Sequence, residues 1–393
     1  MNTMKKKIAF CLDTMTLGGV EKELITVLKK IHDQYDITLL VLHLQDTEML
    51  EDIPKDVRIR IVGIDKNYYC GGVVHLAAQR LKRGKLIEAA SLVVKRCLKI
   101  GMTPSNTNLE GIPPFEDSFD VAICYHIHSA LLLRYVAEKV TASRKVAWIH
   151  NDFYTSGYPI RRLRKYVTSY DEFVAVSRKV EREFRALCPW YEGGISTAYN
   201  YMDADEIRER SLSPVEDEIF LQETKPKLLT VGRFSEQKGI DLAIRAAALL
   251  KAEGIPFHWF LIGYGEQEEL YRSLIAKLDV GDCFTILGKK KNPYPYIRAC
   301  DIQVQPSRHE AYPLVVLEAK ILRKPIVCTD FDGADEQLVN GKNGVILPLN
   351  DIPAIANGLA SLIRSPETRA ALTAELEKWS PEDDLKEIVK HLQ

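Results

Sequence analysis

Short, mostly apolar runs recur along the chain, separated by longer stretches with helical spacing. Residues 8–12, 37–42, 57–62, 119–124, 146–149 and 173–176 are strand-length. Between the first two runs, Val20, Leu24, Val27, Leu28 and Ile31 fall on one helical face. Strands that are apolar throughout, without alternation, belong to parallel sheets covered by helices on both faces. The pattern thins over 203–226, where charges, Pro214 and Pro226 dominate, and then restarts. New strands are predicted at 228–231, 257–262, 284–287, 302–304, 326–328 and 345–347. Helices are expected near 239–251 and 266–278 and from Pro313 onward. The spacing therefore predicts an α/β protein of two doubly wound, Rossmann-like domains, 1–202 and 227–376, facing across a cleft. Residues 203–226 read as the linker. A last helix within 377–393 carries Leu385, Ile388, Val389 and Leu392 on one face.

Composition narrows the function classes. At 393 residues the chain exceeds one core, and 46% hydrophobic with 27% charged residues is globular, not disordered. Fifty-three basic against 54 acidic residues give a net charge of −1, which disfavours a general nucleic-acid binder. The halves differ: residues 1–199 hold 29 basic and 23 acidic residues (+6), and 200–393 hold 24 and 31 (−7). The first half is thus the better match for an anionic partner. Eight scattered cysteines without a Cys-x-x-Cys pair indicate reduced thiols and no zinc site. No apolar run approaches the ~20 residues of a spanning helix. The run after the basic start is cut at Asp13, too short for a signal peptide. The expected location is cytoplasmic.

Segment 75–100 has two readings. Leu86, Ala90, Val93, Cys97 and Ile100 form an apolar stripe, with Arg80, Lys82, Arg83, Lys85, Lys95, Arg96 and Lys99 around it. Such a helix docks on an anionic membrane surface, or packs its stripe on the sheet and leaves its charges in water.

Ligands of open parallel sheets sit beyond the carboxyl ends of the strands, so motifs there carry the chemistry. The strongest is Glu310-Ala-Tyr-Pro-Leu-Val-Val-Leu-Glu318. Pro313 suits the first position of a helix. The N–H groups of Tyr312, Leu314 and Val315 would then point out of its start, where anions bind. Glu310 and Glu318 are placed to accept hydrogen bonds from sugar hydroxyls at two ends of one ligand. The alternative is a pair of solvated acids. A second motif, Gly232-Arg233-Phe-Ser-Glu-Gln-Lys238-Gly239, sets an Arg fork and a Lys charge in one strand-to-helix turn, which suits a diphosphate. Gly18-Gly19 after the first strand allows close backbone approach to phosphate. Neither it nor Gly263-Tyr-Gly265 completes a dinucleotide fingerprint, which disfavours a dehydrogenase. His150 ends the strand 146–149, with His126 and His128 similarly placed after 119–124. Asp203-Ala-Asp205 and Asp330-Phe-Asp332 read as chance acids, not a metal site.

Together these features, with Ser177-Arg178, Gly333…Glu336 and Gly341-x-x-Gly344, resemble the family 4 retaining glycosyltransferases (glycosyl transferases group 1), over nearly the whole chain. The resemblance implies the GT-B fold and transfer of a hexose-type sugar from a nucleotide diphosphate sugar, such as a UDP-sugar. A saccharide or lipid-linked saccharide would accept it, in bacterial surface polysaccharide biosynthesis. It implies that Arg233 and Lys238 hold the diphosphate without a metal or other cofactor, and that Glu318 binds the ribose. Glu310 with the backbone of Tyr312, Pro313 and Leu314 would hold the sugar. Gly18 and Gly19 would approach the phosphates, and His150 would stand near sugar and acceptor; Glu310 and His150 are the catalytic candidates. It implies a last helix that crosses back to the first domain. Ala311 stands where the family usually has glycine. Two other readings remain: a nucleotide-sugar epimerase of the same build, and a non-catalytic partner subunit.

Overall fold

A computed structural model describes residues 5–15, 18–44, 48–63 and 112–393, with isolated positions 81, 84, 86, 90 and 109. The basic segment 75–100 therefore lies outside the described residues, apart from four single positions. The chain divides into two compact units. One comprises Met1–Val176, Val180–Ala198 and Ile388–Gln393, and the other Ser177–Lys179 and Tyr199–Glu387.

The first unit is built on a seven-stranded sheet: β1 (Lys7–Met15), β2 (Asp36–Leu44), β3 (Arg58–Ile61), β4 (Ser118–Cys124), β5 (Thr141–Ile149), β6 (Glu172–Ala175) and β7 (Gly194–Thr197). The order is β3-β2-β1-β4-β5-β6-β7, and neighbouring strands are parallel. Its helices include α1 (Gly19–Ile31), α2 (Ala130–Lys139) and α3 (Arg178–Leu187). Strand β7 was not read from the sequence, because it is a four-residue edge with partly exposed side chains and no apolar run.

The second unit carries β8 (Lys227–Val231), β9 (His258–Ile262), β10 (Phe284–Gly288), β11 (Ile302–Gln305), β12 (Ile326–Thr329) and β13 (Val345–Leu347), all parallel, in the order β10-β9-β8-β11-β12-β13. Successive residues face opposite sides of a strand. Leu228 and Trp259 accordingly enter one core, with Ala243 and Leu359, from the helices α6 (Ile240–Ala252) and α11 (Ile352–Arg364). Leu229 and Phe260 enter the other, with Val316 from α9 (Leu314–Ile321) and Ile297 from α8 (Tyr294–Ala299). Both faces are covered, which is why these strands read as mostly apolar runs.

Residues 203–226, expected as a linker, belong to this second unit. They form α4 (Ala204–Arg210), capped by the Asp203 carboxylate, and α5 (Glu218–Gln222). Each is anchored by a single buried residue, Ile207 or Phe220, too sparse a signal for periodicity to detect. The remaining helices are α7 (Glu268–Lys277), α10 (Ala334–Gln337), α12 (Pro366–Leu376) and α13 (Glu382–Lys390). The last residues, Ile388–Gln393, belong to the first unit, where His391 Nδ1 meets Glu172 at 2.9 Å. Among the described residues, no helix is long and apolar enough to cross a membrane.

Candidate functional site

Strand order reverses direction between β8 and β11: the chain winds outward through β9 and β10, then returns to β11 and winds the other way. Turns leaving two such strands diverge and open a crevice at their carboxyl ends. The two strongest sequence motifs leave these same strands.

The two turns are joined by charge and by backbone. Arg308, after β11, forks onto Asp241 of α6 at 2.8 and 2.7 Å and reaches the Glu236 carbonyl at 2.8 Å. The Arg308 N–H donates to the Gln237 carbonyl at 2.8 Å, and Gln237 Nε2 returns a bond to the His309 carbonyl at 3.0 Å. Gly239 takes a left-handed φ of 61°, and a Cβ there would run into the Pro306 carbonyl, so only glycine lets the turns meet.

Within this joint, Lys238 Nζ lies 2.6 Å from Glu310 Oε1. The same oxygen accepts from Ser307 Oγ at 2.7 Å and Gln305 Nε2 at 3.3 Å. Gln237 Nε2 stands 3.5 Å from the other oxygen. Glu310 is buried, and a buried carboxylate is stable as an anion only with such partners. The stem of Lys238 lies over Gly232, with carbons 3.5–3.7 Å from where a Cβ would stand.

Arg233 takes a different position. Its side chain is 74% exposed and its nearest acid is Glu266, at 3.7 Å. Arg233 and Lys238 leave the same strand, but only Lys238 joins Glu310. Glu318 is buried in α9, where Tyr294 OH approaches its Oε1 at 3.4 Å. Pro313 is the cap of α9, not its first residue, with extended backbone (φ −68°, ψ 126°). Leu314 and Val315 open the helix and are half-buried. Their N–H groups have no acceptor within the helix, as for any first turn. Tyr312 is buried, with its ring stacked on Tyr199 at 4.9 Å. Burial holds the Tyr312 phenol well above its ordinary range.

The other candidates belong to the first unit, whose order reverses between β1 and β4. Gly18 caps α1, and the Glu21 side chain curls back over it. Gly19 is the first helical residue. His150, buried at the end of β5, stands 5.0 Å from the Tyr125 ring and 5.9 Å from the His126 ring. His126 and His128 stack at 5.7 Å. The Asn151 amide donates to His126 Nε2 at 3.1 Å, and burial, then the neighbouring His128, lowers the His126 pKa to about 4. This ring is therefore neutral at physiological pH. Asp203 is spent on its helix cap, and Asp332 pairs with Lys179. Among the described residues, no group of three or more His, Cys, Asp or Glu side chains is placed to hold a metal ion.

Sequence reasoning missed Gln305, Ser307 and Arg308. Two polar residues, Gln303 and Gln305, inside an otherwise apolar strand were the available signal. A buried amide in a core strand needs a partner, and for Gln305 the partners are Ser307 and Glu310.

Comparison with known proteins agrees with this architecture. A solved structure of HepE from Anabaena in complex with UDP superposes with a TM-score of 0.71 at 17% identity, covering 98% of this chain and 99% of that one. Likeness at this level fixes the fold, which is GT-B, built of two Rossmann-like domains. Residues 215–379 match the family model described as glycosyl transferases group 1. Among characterised sequences, alpha-D-kanosaminyltransferase of Streptomyces kanamyceticus is 30% identical over 147 residues, 37% of this chain and 38% of that protein. The amylovoran biosynthesis glycosyltransferase AmsK of Erwinia amylovora is 31% identical over 138 residues, 33% and 34% respectively. The chain thus spans little more than a third of the length of these two relatives.

Proposed function

We propose that this protein is a retaining glycosyltransferase that transfers a hexose-type sugar from a UDP-sugar to a saccharide or lipid-linked saccharide acceptor, in the building of a bacterial surface polysaccharide. The observation that carries this reading is the Lys238–Glu310 pair at the reversal point between β8 and β11, beside the start of α9. A diphosphate leaving group needs positive charge where its own negative charge develops. Lys238, the exposed Arg233 and the opening amides of α9 would supply it without a metal. Glu310, and Glu318 further along α9, accept hydrogen bonds from the sugar and ribose hydroxyls. The roles proposed for the first unit are close approach of phosphate at Gly18 and Gly19, with the Glu21 side chain moved off Gly18, and contact of His150 with sugar and acceptor. The amylovoran relative supports the choice of polysaccharide class, and the UDP bound by HepE supports the choice of donor base.

The acceptor hydroxyl attacks the anomeric carbon on the face the diphosphate leaves. The new C–O bond forms as the old one breaks, and the hydroxyl proton passes to the departing phosphate oxygen. The alternative is a double displacement with Glu310 as nucleophile, and the three bonds already on its Oε1 leave only Oε2 for that role.

A thermal-shift panel of nucleotide sugars tests the donor, since a ligand that binds only the folded state raises its melting temperature. Product stereochemistry tests the mechanism, and inversion overturns it. Activity that survives EDTA supports metal independence, and its loss with recovery on Mg²⁺ refutes it. Incubation with donor alone separates transfer from epimerisation. The proposal extends to a cytoplasmic reaction with the basic segment 75–100 docked on the inner membrane face; unchanged vesicle binding after neutralising Arg80–Lys85 refutes that docking.

A further inference from the structure

Three consecutive carbonyls in the loop before α9 are each met from outside the loop. Gly333, with φ 90°, packs on the first, so that a Cβ there would stand 3.1 Å from the Ala311 oxygen. Asn200 Nδ2 donates to the Tyr312 oxygen at 3.1 Å. Gln337 Nε2 donates to the Pro313 oxygen at 3.2 Å. Asn200 and Gln337 are buried, and all of these residues belong to the second unit.

A trans peptide is planar, and its C=O and N–H point in opposite directions. Holding the Pro313 carbonyl, which also accepts from the Val316 N–H at 3.3 Å, therefore aims the Leu314 N–H the other way. The preceding plane has no N–H, because its nitrogen belongs to Pro313. Gln337 thus helps to set the direction of the Leu314 N–H, and Asn200 holds the Tyr312–Pro313 plane from which that turn starts. The supports are themselves held. Gln337 ends α10, and its own carbonyl accepts from Lys320 Nζ at 3.0 Å. Asn200 follows Tyr199, whose ring stacks on Tyr312 and whose hydroxyl donates to Glu336 at 3.0 Å.

We propose that Asn200 and Gln337 are positioning residues for the donor, which act through backbone carbonyls and do not touch the ligand. This rests on the reading above that the start of α9 binds the donor diphosphate. The clamps help to fix in advance the direction of an amide that a flexible loop would otherwise have to order on binding.

The test is calorimetric titration of the full chain with UDP and with uridine, alongside melting temperatures. Asn200→Leu and Gln337→Met keep side-chain bulk and remove the donating amide. Each is expected to weaken UDP binding about tenfold, the equivalent of ~1.4 kcal/mol, and to leave uridine binding unchanged. A merely structural role lowers the melting temperature while the folded protein binds UDP as before, and that result overturns the proposal. If either variant fails to fold, the alanine variant at the same position, Asn200→Ala or Gln337→Ala, carries the same expectation. Lys238→Met separates the two levels. Loss of UDP binding in Lys238→Met with wild-type binding in both amide variants refutes the positioning role alone. A wild-type protein that binds no UDP refutes this inference and the donor site together.

Discussion

Lys238 and Glu310 hold each other at 2.6 Å across two turns that are 72 residues apart in sequence. A bound diphosphate must therefore share an ammonium that already has a carboxylate partner. Glu310→Gln removes that competitor and keeps the shape. The expected outcome is UDP binding ~3–10-fold tighter, within the range of one charge-assisted hydrogen bond, while sugar transfer falls by about 100-fold or more. Calorimetry beside a radiolabelled-sugar assay checks both. Weaker UDP binding would mean that Glu310 positions Lys238 instead of competing for it.

Arg308 holds the turns together from behind. Its fork on Asp241 is largely shielded, with each side chain 24% exposed. Arg308→Met is expected to destabilise the protein by about 1–3 kcal/mol, measured by urea denaturation, and to weaken UDP binding by loosening the joint. Unchanged stability with unchanged binding would show that Gly239 and the backbone bonds suffice.

His126 makes stability depend on pH. Burial and then His128 lower its pKa to about 4 in the folded protein, whereas an unfolded histidine titrates near 6.5. Between those values the unfolded chain binds more protons, so stability is complete above about pH 6.5 and is lost as pH falls toward 4. The ring keeps some contact with solvent, so the loss is put at roughly 1–3 kcal/mol. Urea melts from pH 7.5 to 4.5 should show it, and His126→Gln should flatten the curve. An equal slope in that variant would assign the effect to other groups.

Lys320 is a buried cation, 4% exposed, whose pKa burial lowers to about 8. Its Nζ lies 3.9 Å from the centre of the Trp379 ring. The folded state disfavours the charged form, so stability should rise as pH goes from 8 toward 10.5, where the unfolded chain still holds the proton. Lys320→Met is expected to remove that rise and to stabilise the protein at pH 7 by ~1–2 kcal/mol, because the desolvated charge is gone. A lower melting temperature would mean that the ring contact and the bond to Gln337 outweigh the desolvation.

Much of this protein was legible in its sequence because the determining physics is local. A strand buried on both faces is apolar over most of its length, and the apolar runs within β1, β2, β8 and β9 announce themselves that way. The glycine-rich and basic turns also stand at fixed offsets from their strands. The signal failed where burial rests on single anchors. Ile207 and Phe220 convert a stretch dense with charge into two packed helices, and one apolar residue per helix leaves no period.

Tertiary structure alone decided which turns become neighbours. Nothing local makes β11 pair with β8 and not with β10, since strand order comes from packing and pairing over long separations. That choice set Lys238 on Glu310, left Arg233 with Glu266, and brought Asn200 and Gln337 to the carbonyls before α9. The sequence thus determined the strands and the charges that leave them. Their pairing came only from the folded sheet, because hydrogen bonds and ion pairs form between residues close in space, whatever their distance along the chain.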